Sequence, residues 1–379
     1  MTALAVVFWV SAAAIVYTHA GYPLLLRVIG RRARHRKPAE SDLPSVTLIV
    51  AAHDEQTVIE RKLRNSLELD YPRGLLEVIV ASDGSGDRTV EIARSLAAGD
   101  DRVKVLDLER AGKVRAQDVA ADVATGDVLA FSDANAYWEA DALRKLVAPF
   151  ADEEVGYVCG ELRYESVDGS NQEGAYWRFE TANRDYESRL HSVTAGNGAI
   201  YAVRDEAYLR LDPRTSHDLS LPFNLVKRGW LALSEPSAVA VERPLATNEG
   251  EFARKRRMMS HAWPAILGGG MLDPRGYGPV YAFEIFSHRA LRYATPFLHV
   301  IAFVANLALV GEGLVYVVTL AIQLAFVMAA IAGRLTRGRP RVLALCQYYL
   351  LTTASIAAGL WDWLRRGTPT TWEKAQGRA

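Results

Sequence analysis

Cysteine is scarce in this 379-residue chain: Cys159 and Cys346 are the only two, far apart and in different surroundings. Two such residues build neither a disulfide framework nor a zinc site, so a reducing compartment is expected. Net charge is absent as well, with 44 basic and 44 acidic side chains. A balanced chain has no overall field to gather nucleic acid, so no nucleic-acid partner is expected. No Gly-rich phosphate loop opens the sequence, which argues against an enzyme that makes sugar nucleotides. Charge is also nearly missing from three long stretches. Residues 2–29 hold only Arg27, and residues 294–311 and 313–333 hold no Asp, Glu, Lys or Arg.

Each stretch reaches the ~20 residues that a helix needs to cross a bilayer. The Gly311-Glu312-Gly313 joint leaves room only for a hairpin between the last two. Basic clusters follow the first run (RRARHRK, 31–37) and the third (RLTRGRPR, 334–341). Both are expected on the cytoplasmic side, with the N-terminus outside and residues 31 to about 290 inside. A cleaved signal peptide is the rival reading of the N-terminus, but it predicts basic residues before the apolar run, not after it. A fourth run, 342–361, carries Gln347, Tyr348 and Tyr349 and ends in WDWLRRG. It reads as a half-inserted or interfacial segment, because spanning would place those arginines outside.

What is present between the apolar runs is an alternation. VTLIVAA (46–52), EVIVAS (77–82), VKVLDL (103–108) and VLAFSD (128–133) are short apolar strands. Helical patterns separate them at 57–68, from Thr89 to Leu96, and around 114–124. This predicts an α/β domain, a mostly parallel sheet with helices on both faces. The expected organisation is a transmembrane helix over 1–30, a cytoplasmic domain over 43–262, interfacial helices over 263–292, a transmembrane hairpin over 293–334, and a membrane-associated segment over 342–379.

Ligands gather at the carboxyl ends of strands in such sheets. Three strands end in acidic clusters: Asp54-Glu55, Asp83 and Asp133. Asp and Asn also favour turns and caps, so any one cluster has an ordinary explanation. Three together repel unless a cation sits among them. A hard divalent ion holding a substrate's phosphates meets that demand, and Asp133 with Asn135, two apart on a turn, can both reach one ion.

Several stretches in order carry a family resemblance: VTLIVAAHDE, VIVASDGSGDRT, GK before ATGDVLAFSDANA, TAGNGAIYAVR, HDLSLPFNLVKRGW, and the flanking SHRALRYATPF and TTWEKA. The chain resembles the membrane-bound family 2 glycosyltransferases, the branch with bacterial exopolysaccharide, chitin-oligosaccharide and hyaluronan synthases. The resemblance implies a GT-A fold in a bacterial inner membrane and a nucleotide-diphosphate-sugar donor, with UDP expected. It also implies a divalent Mn2+ or Mg2+ and a lipid-linked or oligosaccharide acceptor among membrane lipids. Position by position, it places Glu55 against the nucleoside with Ala51 and His53 beside it, and Asp83 on the uracil edge. Lys113 lies along the nucleotide, and Asp133 and Asn135 hold metal and diphosphate. Asp218 is the general base, and Gly196, Asn197 and Gly198 line the acceptor side with His217 and Trp230.

The chemistry is coherent on its own terms. A metal at Asp133 and Asn135 would neutralise the departing diphosphate, while Asp218 takes the acceptor's proton. One displacement inverts the anomeric centre, so no Ser/His/Asp or Cys/His nucleophile is needed. Four departures stand out. Asn135 replaces a carboxylate, a weaker ligand for a hard ion. His217 stands where relatives carry an acid, and it either orients Asp218, approaches the metal, or is an ordinary polar neighbour. Asp118 replaces an Asn. Residues 251–263 (EFARKRRMMSHAW) lack the Gln-x-x-Arg-Trp of processive synthases, with Arg254 and Arg257 at its Gln and Arg positions and Met258 at Trp. The basic run 254–257 clamps the diphosphate, binds anionic lipid, or is a solvated face. Arg254 and Arg257 share a helix face, while Lys255 and Arg256 are expected to turn away. Transfer of one sugar, or a few, is therefore the leading expectation. A processive synthase and an inactive nucleotide-binding subunit are the alternatives.

Overall fold

A computed structural model of the chain describes residues 2–30, 43–164, 172–242, 248–336 and 340–368. The 31–37 basic cluster, residues 337–339 of the second cluster, and TTWEKA lie outside these.

The predicted alternation forms one eight-stranded sheet: β1 (Val46–Ala52), β2 (Leu76–Asp83), β3 (Val103–Leu108), β4 (Val128–Asp133), β5 (Tyr137–Trp138), β6 (Val155–Tyr164), β7 (Ile200–Arg204) and β8 (Leu231–Glu242). The spatial order is β3-β2-β1-β4-β7-β6-β8-β5. The first four strands are parallel, with Ala51 level with Ala81 of β2 and Asp133 of β4. β7 runs antiparallel between β4 and β6, and β8 is parallel to β6. Strand order reverses around β1, so a crevice opens where β1 and β4 end.

β1, β2 and β4 read as unbroken apolar runs because both of their faces are covered, while β3 is the edge strand and is partly exposed. Leu48, Val50, Val78 and Val80 pack on one side with Ile59 and Leu63 of the helix Ile59–Leu67. Ile49, Ile79, Leu129 and Phe131 pack on the other with Ala116 and Ala120 of the helix Lys113–Asp122. The helix Thr89–Ala97 completes the expected set.

Among the described residues, four helices are long and apolar enough to cross a membrane: Thr2–Gly30, Pro279–Glu312, Leu314–Leu335 and Arg341–Arg366. Val300, Ile322 and Met328 on them are 63%, 62% and 64% exposed. Side chains so apolar and so open suit a lipid surround rather than water. The run after residue 341, expected as a half-inserted or interfacial segment, is one unbroken helix of 26 residues, and a long helical rod begins at Pro279, within the stretch expected to hold interfacial helices.

A buried polar knot joins the sheet domain to these helices. Glu187, on the helix Gln172–Leu190, is fully buried. It accepts from Tyr22 Oη (2.8 Å), Thr194 Oγ1 (3.0 Å) and the Thr194 amide (3.1 Å), and it pairs with His288 Nδ1 at 2.6 Å. Burial alone would raise the Glu187 pKa, but His288, Arg289 and the Thr194 amide outweigh it and hold it below the usual value.

Candidate active site

The crevice holds a cavity of about 430 Å³. His53, Glu55, Lys113, Asp133, Gly196, Asn197, Gly198, His217, Asp218, Arg254 and Arg257 all line it. Residues spread over two hundred positions therefore meet in one place.

On the β1 side, the chain leaves the strand at His53. Its Nδ1 donates to the Asp83 carbonyl at 2.8 Å, and Arg110 reaches its Nε2. Glu55 follows, its backbone N–H donating to Thr89 Oγ1 at 2.8 Å. Asp83 is placed differently from the expected uracil contact. Its side chain is 1% exposed and off the cavity wall. Its carboxylate accepts from the amides of Ala111 (2.7 Å) and Gly112 (2.9 Å). Gly112 has φ +100°, a conformation that favours glycine. Asp83 thus pins a turn that delivers Lys113, and the Lys113 ammonium pairs with Asp133. Ala51 is likewise fully buried and off the wall.

The Asp133–Asn135 turn is braced from behind. The buried Lys62 Nζ donates to the Ala136 carbonyl at 2.6 Å. Burial pushes the Lys62 pKa from 10.5 down to about 7, against the pull of Asp133. Asn135 Nδ2 donates to Glu242 Oε1 at 2.6 Å, and Glu242 lines the cavity. Among the described residues, no three His, Cys, Asp or Glu side chains are grouped to hold a metal unaided. The oxygen donors of Asp133 and Asn135 still fit a hard cation whose other ligands come from phosphate and water. The ammonium already drawn to Asp133 shows that this carboxylate attracts positive charge.

Across the cavity, Asp218 sits in the first turn of the helix His217–Val226. Its carbonyl accepts the Gly196 amide at 2.6 Å, which ties the 194–198 turn to this helix. Only glycine fits at 196, since a Cβ there would lie 1.8 Å from Tyr157 Oη. At Gly198 an added Cβ would stand 3.7 Å from the Asp218 carboxyl carbon, so glycine keeps the space before that carboxylate open. Asn197 turns its Oδ1 to the Ala199 amide (3.0 Å), while its buried Nδ2 has no partner among the described residues. His217 is boxed by Phe131, Tyr201 and Tyr208, and a 2.9 Å hydrogen bond joins its Nδ1 to Tyr201 Oη. Burial, with Lys113 second, drives its pKa down to about 3, so it is neutral. Asp118, unexplained in the sequence, accepts from Tyr208 Oη at 2.8 Å and fixes the ring that stacks on Phe131.

The basic helix Asn248–Trp263 closes the cavity. Lys255, expected to turn away with Arg256, faces the cavity alongside Arg254 and Arg257. Arg256 does turn away, to Asp362 at 2.5 Å. Trp263 donates Nε1 to the Ile356 carbonyl at 3.0 Å and is off the wall. Trp230, expected on the acceptor side, packs over Gly156 instead. It precedes β8, and β8 runs the same way as β1, so Trp230 is at the far edge of the sheet. The same argument brings Glu242, at the carboxyl end of β8, into the site, and the strand-end rule applied to VAVE would have found it. Arg289 and Arg292 also line the cavity. Their signal was basic charge at the foot of an apolar run.

A GT-A sheet with its acidic strand ends gathered around one cavity defines a glycosyltransferase-type nucleotide-sugar domain. The family model for glycosyl transferase family 2 matches residues 47–259, and the chain belongs to that family. It is similar to the beta-monoglucosyldiacylglycerol synthase of Trichormus variabilis, 36% identical over 137 residues, 35% of this chain and 29% of that protein. The poly-beta-1,6-N-acetyl-D-glucosamine synthase of Staphylococcus aureus is 27% identical over 207 residues, 52% of this chain and 50% of that one. These matches span half or less of either relative. Among solved structures, the mannosyltransferase PcManGT of Pyrobaculum calidifontis, in complex with GDP-Man and Mn2+, matches with a TM-score of 0.72 at 25% identity. That match covers 94% of this chain and 99% of the other.

Proposed function

We propose that this chain transfers one sugar, with inversion, from a nucleotide-diphosphate sugar to a lipid-linked or saccharide acceptor at the cytoplasmic face of a membrane. The observation that carries this reading is the single cavity with Glu55, Lys113 and Asp133 on one wall and Asp218 beside two glycines on the other. The catalytic unit is residues 43–262, carried on the apolar helices.

Glu55 and His53 meet the nucleoside, and Asp83 acts on that side through the turn it pins. Lys113, Arg254 and Arg257 hold the diphosphate by charge-assisted hydrogen bonds. When bound at Asp133 and Asn135, a divalent cation supplies neutralisation of the charge growing on the leaving diphosphate. Asp218 takes the acceptor hydroxyl's proton as that oxygen attacks the anomeric carbon from the face opposite the diphosphate. Gly196 and Gly198 leave room for the acceptor there, and the Asn197 amide is available to a sugar hydroxyl. A neutral His217 adds no charge beside the base.

Uridine is the nucleotide that the family resemblance favours. The neighbour's bound GDP-Man makes GDP-mannose the second donor to assay. Single addition is favoured because, among the described residues, no tryptophan lines the cavity: Met258 is on the wall and Trp263 is turned away. The test is release of nucleoside diphosphate by purified protein in lipid, over a donor panel with Mn2+ or Mg2+, beside Asp218→Asn. The variant is expected to bind donor normally and to turn over at least about a hundredfold more slowly. Donor binding without turnover by the unmodified protein, with membrane extracts supplying acceptor, would leave an inactive nucleotide-binding subunit instead.

A further inference from the structure

Beside the catalytic cavity lies a second one of about 410 Å³. Arg292, Thr352 and Ile356 line both, so the two adjoin along a common wall. The second cavity is bounded by all four apolar helices and by Phe179 of the helix Gln172–Leu190. His19, Thr295, Phe326 and Cys346 each bring one of the four to its wall. Among the described residues, no carboxylate lines it. Its size is that of a ligand pocket. It lies among helices whose outer faces a bilayer would cover, and it adjoins the catalytic cavity.

Two buried polar atoms at this cavity have no hydrogen-bond partner among the described residues: His19 Nε2 and Thr352 Oγ1. Native structures rarely leave such atoms unpaired, so they point to a polar group on whatever fills the space. His19 sits on Tyr17–Gly21, a widened π turn that interrupts the first apolar helix. Such turns recur at functional sites. Thr352 stands on the common wall, next to the Arg292 that pairs with Glu180.

Resting on the transferase reading above, we infer that this slot takes the apolar chain of the acceptor lipid. The acceptor's hydroxyl or phosphate head lies on the common wall at Thr352 and Arg292 and faces Asp218 through the catalytic cavity. The membrane helices thereby select the acceptor as well as anchor the enzyme. One apolar chain with a small polar head satisfies both the lining and the orphaned atoms. A soluble oligosaccharide could pair the orphaned atoms but not match the apolar lining.

Cys346 makes the inference testable without turnover. It lines the slot and is partly exposed, while Cys159 is fully buried in the sheet and stays silent to thiol reagents. The full chain in nanodiscs is labelled with a small uncharged maleimide in the presence of dioleoylglycerol or undecaprenyl phosphate. Dihexanoylglycerol and farnesyl phosphate serve as short-chain counterparts. The long-chain probe of the preferred head is expected to slow labelling about tenfold over its short-chain counterpart, as a site mostly occupied by the chain requires. Cys346→Trp, which narrows the slot, is expected to erase the KM advantage of that long-chain acceptor. Equal protection by dioleoylphosphatidylcholine would mean that bulk membrane lipid fills the slot and would overturn the assignment. So would labelling that ignores every probe. Chain-dependent protection with no sugar transferred to any acceptor would support the slot and sink the transferase reading alone.

Discussion

The amide at Asn135 is a consequence of Glu242, and a double-mutant cycle between the two tests this. The Asn135 amide donates to the Glu242 carboxylate at 2.6 Å, and Glu242 is 6% exposed. An Asn135→Asp substitution replaces that donor with a second acceptor carrying the same charge. Two carboxylates about 4 Å apart repel by about 4 kcal/mol at an effective dielectric of 20. Rotation of the aspartate relaxes part of this, so a coupling on the order of 2 kcal/mol between the positions is expected without metal. Asn135→Asp should therefore melt earlier than the parent in metal-free buffer, and Glu242→Gln in that background should restore most of the loss. With Mn2+ the order inverts: the added carboxylate is a better ligand for a hard ion, so Asn135→Asp should gain more melting temperature from Mn2+ than the parent does. Thermal melts of the four proteins with and without Mn2+, with Mn2+ binding followed by electron paramagnetic resonance, measure each quantity. Additive effects of the two substitutions in metal-free buffer would refute the reasoning, because the contact would then carry no energy.

Lys62 gives a pH prediction. Its pKa falls from 10.5 to about 7 on folding. Between those values the unfolded chain holds a proton that the folded chain lacks, so stability rises with pH across that window, by at most about 5 kcal/mol in total. Lys62→Met should flatten the melting-temperature profile between pH 7 and 10.5, and a profile as steep as the parent's would show that the amine is charged in the fold. At the acceptor turn, Gly196→Ala drives a methyl into Tyr157 Oη and should cost about 1–3 kcal/mol and most of the transfer rate. Tyr157→Phe removes that oxygen and should return part of both in the double variant; no recovery in either would mean that the glycine serves something other than close packing.

The parts legible in the sequence were those where one physical rule acts alone. β1, β2 and β4 are buried on both faces, so their apolar runs are unbroken, and Glu55 and Asp133 reach one cavity because β1 and β4 are neighbours. β8 was not legible. Ser234, Glu235, Pro236 and Ser237 interrupt it, and its pairing with β6 shifts register between Cys159 and Glu161. Without the direction of β8, Trp230 and Glu242 cannot be assigned to opposite edges of the sheet, which is why the first was expected in the site and the second was missed. Asp83 illustrates a different limit. The motif marks a position, but whether a carboxylate faces a ligand or a backbone turn depends on the path of residues 110–112. Lys255 was misjudged for a related reason. Helical spacing separates it from Arg254 and Arg257, yet the cavity wraps around enough of the helix to reach all three.

On the proposed reading, a buried polar cluster ties the acceptor wall to the apolar helices. Glu187 is a buried charge, and such a charge is tolerated only while its partners surround it. Those partners are Tyr22 on the first apolar helix, Thr194 at the start of the acceptor turn, and His288 at the foot of the second. Arg289 then donates Nε to Thr194 Oγ1 at 2.8 Å while lining the cavity itself. The acceptor turn is thus held by the membrane helices from one side and by the Asp218 helix, through the Gly196 amide, from the other. On the proposed reading, a substrate presented from a bilayer would meet Asp218 at a distance set by those contacts, whereas a soluble substrate would gain nothing from them. An enzyme for a freely diffusing saccharide has no need to bury a carboxylate at this junction, and the presence of one favours an acceptor delivered by the membrane.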